Sequence, residues 1–100
     1  MIQHVVLWKL PEEANGNSRE KNFDLIREAL TALPPLISQI RSLSVVRNEN
    51  LASKNMDVAL IVSFDSLEDL AAYTIHPEHV KVGHLVRSIV SERAAIDYQI

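Results

Sequence analysis

The run IQHVVLWKL, residues 2–10, is apolar on both faces that strand alternation creates: Ile2, His4, Val6, Trp8 and Leu10 on one, Val5 and Leu7 on the other. A strand patterned this way needs cover on both sides, which places it in the middle of a sheet. DVALIVSF, residues 57–64, repeats the pattern with Val58, Leu60, Val62 and Phe64 against Ala59 and Ile61, and is the second central strand. Between the two the period changes. Phe23, Ile26, Leu30 and Leu33 recur three or four apart, so residues 18–33 are predicted to form an amphipathic helix. Asn17 with Glu20 reads as a capping box at its start, and Pro34 and Pro35 stop it. The polar stretch EEANGNS ahead of the helix holds a turn.

Residues 40–48 alternate Leu43, Val45 and Arg47 against Ser44 and Val46, a less thoroughly buried strand, and NENLASKN follows as a loop. Ser66, three residues ahead of Asp69, caps a short helix carrying Leu67, Leu70, Ala71 and Tyr73. Pro77 interrupts, and a second helical segment runs from it to about Glu92. ERAAIDYQI closes as a strand with Ala94, Ile96, Tyr98 and Ile100 on one side. The order is β-α-β-β-α-β, an α+β fold of the ferredoxin-like, split βαβ kind, in which a four-stranded antiparallel sheet carries its helices on one face. The other face of the central strands is still apolar, a larger exposed patch than a soluble monomer tolerates. A second copy is therefore expected to cover it, with burial at ~25 cal/mol per Å² driving an obligate homodimer.

Composition narrows the function classes. With 100 residues the chain is read as one domain, residues 1–100, and 47% apolar against 23% charged residues excludes a disordered chain. The net charge of −3, with Lys and Arg scattered singly, leaves no basic stripe for nucleic acid. The absence of cysteine removes disulfides, thiolate nucleophiles and cysteine-based zinc sites. Met1 runs straight into the first strand, and no apolar run approaches the ~20 residues of a membrane span, so no membrane partner and a cytoplasmic location are expected. GxSxG, P-loop, dinucleotide and HExxH patterns are all missing, so no cofactor is expected. No metal is expected either, since His76 and His79 stand three apart without a third ligand of evident origin.

Candidate chemistry concentrates in YTIHPEHVKVGH, residues 73–84. Pro77 suits the first helical position, which makes His76 the cap region and sets Glu78 against the positive end of the helix dipole. His79 shares a helix face with Val82, Gly83, Val86 and Val90, so its ring points toward the sheet. Burial and the helix N-terminus both disfavour the imidazolium, leaving the neutral ring that a general base requires. Gly83 leaves room beside it, and Tyr73 can bring its hydroxyl to the same space. His4 and Trp8 share one face of the first strand, and periodicity does not say which. On the helix face, His4 converges with Tyr73 and His79. A satisfied histidine–tyrosine pair beneath a helix, with His4 and Trp8 as core residues, is the competing account of the same pattern. His84 lies on another helix face and is read as solvated, as are the pairs Glu12–Glu13 and Glu68–Asp69. Asp97 interrupts an otherwise apolar strand, and its partner is Arg93 or a cross-strand base.

The opening MIQHVVLWKL, the helix ending near LP, the run DVALIVSFDSLEDLAAYTIHPEHVKV and the terminal DYQI together resemble the stress-responsive A/B barrel family, over nearly the whole chain. The most specific element is YxxHPxHVKV, met here as Tyr73, His76, Pro77, His79, Val80, Lys81 and Val82. The resemblance implies a dimeric α/β barrel. It also implies several tasks, since the family includes small bacterial proteins of unknown role, stress-induced plant proteins and a plant polyketide cyclase working on linear poly-β-keto thioesters. Cyclase members line their pocket with further polar aromatic or histidine side chains on the first helix and third strand, where this chain has Ile26 and Val58. Two classes of function stay open, and the sequence favours the first. One is a dimeric module holding a small apolar ligand between helices and sheet, with His4, His76, Trp8 and Gly83 as candidate binding residues. The other is a cyclase or lyase acting on a carbonyl substrate, with His79 as general base and Tyr73 as hydrogen-bond donor to the developing oxyanion. An enclosed cavity reaching both the Tyr73 hydroxyl and a His79 nitrogen favours the second, and a filled core favours the first.

Overall fold

In the computed structural model, which describes residues 1–50 and 53–100, the chain runs β1 (Ile2–Lys9), β2 (Glu13–Ala14), β3 (Asn17–Ser18), α1 (Arg19–Thr31), β4 (Ser42–Arg47), β5 (Val58–Phe64), α2 (Leu67–Ile75), α3 (Pro77–Ile89) and β6 (Glu92–Gln99). The main sheet has the order β4-β5-β1-β6, with every neighbouring pair antiparallel. β1 and β5 are its inner strands, as their doubly apolar patterns require. The expected loop at 48–55 includes residues 51 and 52, which lie outside the described residues.

Register decides the faces. Ile2, Val6 and Trp8 of β1 and Val58, Leu60, Val62 and Phe64 of β5 are buried in one core with Phe23, Ile26 and Leu30 of α1, Leu70 and Tyr73 of α2, and Val86 and Ile89 of α3. His4 alternates in step with Val6 and Trp8, so it lies on the helix face. The opposite face presents Val5 between Ile61 and Ile96, and Leu7 between Ala59 and Ala94. No helix of this chain covers it: Val46, Ile96 and Tyr98 there are 47%, 61% and 39% exposed.

Local chemistry sets the element ends, with three differences from the sequence reading. The helix cap is Ser18, whose hydroxyl accepts from the Lys21 N–H, in place of Asn17. Asn17 is committed to a short hairpin in which Glu13 pairs with Ser18 and Ala14 with Asn17. That hairpin turns at Asn15 and Gly16, both at positive φ (54° and 77°), the geometry that asparagine–glycine turns favour. The helix itself stops at Thr31, with Ala32 as its C-cap, and Leu33 packs into the core from the turn that follows. Finally α3 ends at Ile89 and Val90 turns extended, because Ser91 N–H donates to the Lys9 carbonyl and Glu92 already pairs with Lys9 in β6. As expected, the Ser66 hydroxyl caps α2 by accepting from Asp69 N–H at 3.1 Å. Among the described residues no helix is long and apolar enough to cross a membrane.

Candidate active site

A cavity of about 440 Å³ lies between α3 and the helix face of the sheet. Its floor is His4, Val6 and Trp8 of β1 with Leu60 of β5; Leu30 of α1 and Tyr73 and Thr74 of α2 close one side. Along α3 its wall is one stripe, His79, Val82, Gly83 and Val86, extended by Arg87 and, just past the helix end, by Val90. Ser91, Glu92 and Arg93, all exposed, form the mouth where the chain passes into β6.

The loop between α2 and α3 brings the two central side chains together. His76 is the hinge: its backbone is extended, and Pro77 opens α3 with the φ that a first helical residue needs. The Tyr73 and His79 rings touch at a tilt of 43°, with centroids 4.3 Å apart, and Tyr73 also packs on Phe64 at 5.0 Å and edge-on to His4 at 6.2 Å. His79 Nδ1 meets the Thr74 carbonyl at 3.0 Å. A carbonyl only accepts, so Nδ1 carries the proton and, in the neutral ring, Nε2 holds the free lone pair. The same bond satisfies a carbonyl in the last turn of α2, which has no partner within its own helix. The structural and chemical accounts of this histidine therefore coincide.

Burial holds the His79 pKa below the usual histidine range, and the charges of His4, Arg87 and Arg93 act in the same direction, against the opposing pull of the Thr74 bond. Desolvation pushes the Tyr73 hydroxyl up to about 12. At neutral pH the pair is thus a neutral imidazole beside a protonated phenol. Because the folded-state value of His79 lies below its ordinary 6.5, its contribution to stability is complete above that pH and is lost as pH falls through the folded value. The Tyr73 hydroxyl is shut off from solvent and has no hydrogen-bond partner among the described residues.

His4 gains a partner that β1 alone does not supply. In the β1–β6 register it stands opposite Asp97, and its Nδ1 is hydrogen-bonded to Asp97 Oδ1. Of the two partners considered for Asp97, the cross-strand base is the one found. Arg93 stands four residues away on the same face, opposite Trp8.

The other candidates separate. Trp8 and Gly83 line the cavity; His76 does not, because its Nδ1 accepts from Glu78 N–H at 3.1 Å and the ring is spent as the cap of α3. The room beside Gly83 is occupied by Arg87, whose guanidinium nitrogen would lie 3.2 Å from a Cβ built there. His84 is exposed and accepts from that guanidinium at 3.2 Å. Ile26 and Val58 are buried core residues outside the cavity wall. The sequence pattern offers Arg93 only as a partner for Asp97 and does not single out Arg87. Arg87 was legible as the continuation of the His79 and Gly83 stripe by four more residues, whereas Arg93 enters only through its register with Trp8. No cluster of metal-ligating side chains occurs among the described residues.

Comparison with known proteins adds relatives to this geometry. Olivetolic acid cyclase of Cannabis sativa is 24% identical over 101 residues, 97% of this chain and 94% of its own. A crystal structure of a dimeric protein of unknown function and ferredoxin-like fold from Bacteroides fragilis NCTC 9343 is 34% identical, with a TM-score of 0.88 over 99% of this chain and 95% of that one. A hydroxynitrile lyase from Passiflora edulis shares the fold at 13% identity, with a TM-score of 0.84 over 99% of this chain and 92% of its own. The stress responsive A/B barrel domain profile matches residues 2–100, and the chain belongs to that family.

Proposed function

We propose that this chain is an enzyme of cyclase or lyase type, which moves a proton on a carbonyl-bearing molecule held between α3 and the sheet. The observation that carries this reading is the Tyr73 hydroxyl, a buried donor without a partner in the residue whose ring touches that of His79. Buried polar groups are nearly always paired, and leaving one unpaired costs about 1–3 kcal/mol. The hydroxyl is shut off from solvent, so a substrate oxygen supplies the missing acceptor once the Tyr73 or His79 ring shifts on binding. A module that merely shelters an apolar ligand gives this hydroxyl nothing to bind.

In the cyclase direction, His79 Nε2 takes a proton from the carbon beside a carbonyl, and the electron pair of that C–H bond passes into an enolate whose oxygen accepts from Tyr73. The carbanion attacks a second carbonyl of the same molecule. The imidazolium then returns its proton to the new alkoxide, so the step closes without a co-reactant. A lyase runs the corresponding sequence toward C–C cleavage. His4, held in one orientation by Asp97, is a second imidazole in the cavity wall and is available to relay the proton. The relatives with named activities, a cyclase and a lyase, support the same chemistry. The uncovered sheet face and the dimeric state of the Bacteroides fragilis relative support a homodimer as the working form.

The test is deuterium wash-in at the carbon beside the carbonyl of medium-chain β-keto thioesters and of medium-chain oxo acids, followed by mass spectrometry and compared with the uncatalysed rate. Catalysed exchange is expected, and a rate equal to buffer alone rejects the reading. The acid limb of the rate profile is expected below pH 6.5, where protonation of His79 removes the base. No alkaline limb from Tyr73 is expected until pH approaches about 12. Tyr73→Phe separates function from folding, because the substitution removes an unpaired buried hydroxyl. Its melting temperature is expected to stay level or rise while exchange falls ~10²-fold. A variant that keeps full exchange eliminates Tyr73 as the oxyanion donor.

A further inference from the structure

The cavity has a charged end that the proton-transfer chemistry does not use. Arg87 follows His79 by eight residues and Gly83 by four, so all three lie on one stripe of α3. Side chains on a helix lean toward its N-terminus, and Arg87 lies back over Gly83, where an added Cβ would meet only its guanidinium. Its charge therefore sits about one turn from His79, ~6 Å along the axis. Across the mouth, Arg93 of β6 is on the helix face opposite Trp8; Glu92 also lines the mouth, but its place in the strand alternation, opposite Lys9, is on the other face. Neither arginine is in an ion pair among the described residues. The nearest acid on the Arg93 side of β6, Asp97, is already bonded to His4. Arg87 donates one guanidinium N–H to His84 Nδ1, and neither it nor Arg93 has a carboxylate partner among the described residues; two such groups at the rim of an apolar cavity are an arrangement suited to a carboxylate, which accepts from both.

We infer that the ligand is a small oxo acid: an apolar chain whose carboxylate is held at the mouth by Arg87 and Arg93, with its carbonyl several bonds away beside Tyr73 and His79. This rests on the reading that the cavity holds the substrate and adds its chemical class. Gly83 becomes a specificity position, because a Cβ there lies 3.2 Å from the Arg87 guanidinium and shifts it by a few tenths of an ångström, and a larger side chain displaces it further. The consequence is an opposition of signs. Gly83→Ala improves helix propensity and meets only the flexible end of Arg87, so it is expected to raise the melting temperature by about 4 °C while weakening anion binding.

The test is calorimetric titration of the full chain with octanoate and with methyl octanoate, which share the tail and differ in charge. Octanoate is expected to bind at least ~10-fold more tightly, with a preference that shrinks as salt rises. Arg87→Gln, Arg93→Gln and Gly83→Ala are each expected to reduce that preference several-fold. Equal binding of acid and ester by the wild-type chain overturns the inference and leaves the proton-transfer reading standing. So does a preference that survives both Arg87→Gln and Gly83→Ala, the second of which keeps the fold independently of the first. If neither probe binds, the reading of the cavity as a ligand site fails, and this inference with it.

Discussion

His79→Asn is expected to lose ~10²-fold or more in catalysed α-proton exchange while folding normally, a rise of about 2.7 kcal/mol in the barrier. Asparagine is chosen for its geometry. Its Nδ2–H occupies nearly the place of the histidine Nδ1–H, so the Thr74 carbonyl keeps its donor and the end of α2 stays satisfied. The imidazole Nε2, the only basic atom removed, has no counterpart in the new side chain. A structural role predicts that asparagine rescues what alanine loses, and a general base predicts that asparagine and alanine are equally inactive. Exchange measured by mass spectrometry, beside a thermal melt of each variant, separates them. Full exchange in His79→Asn would rule out the base.

Ile96→Glu is expected to split the homodimer with little harm to the subunit. In the isolated chain Ile96 is 61% exposed on the edge strand β6, so a carboxylate there stays hydrated and the monomer folds. In a dimer packed through the open sheet face, the same carboxylate faces an apolar patch built around Val5 and Ile61. An unpaired charge buried in such a place costs about 3 kcal/mol or more, which is over 100-fold in dissociation constant. Sedimentation across a dilution series reads this directly. A wild-type chain that sediments as a monomer, or a variant that dimerises like the wild type, would refute the face-to-face assembly.

Several features of the site are readable from spacing alone because they are encoded within one helix or strand. The His79, Val82, Gly83, Val86 and Val90 stripe follows from helical periodicity, and all five residues line the cavity. The roles of Ser66 and His76 as caps follow from their positions ahead of helical runs. Asn15–Gly16 carried an equally local hairpin signal. Without the hairpin, the spacing of Asn17 and Glu20 points to a cap one residue ahead of Ser18, which supplies it. Arg87 was local too, two turns beyond His79 on the same stripe.

By itself, the sequence determined the order of the elements, the central places of β1 and β5, the apolar second face of the sheet and the stripe of α3 that meets it, because alternation and helical period are short-range properties of the chain. Only the tertiary structure decided which face His4 takes, that Asp97 is its partner 93 residues away, that Arg93 joins Arg87 at the mouth, and that the Tyr73 hydroxyl is left without an acceptor. Each of these depends on the antiparallel register of β1 with β6 or on the angle that His76 and Pro77 set between α2 and α3. Both are fixed by the packing of the whole core, and no local pattern carries them.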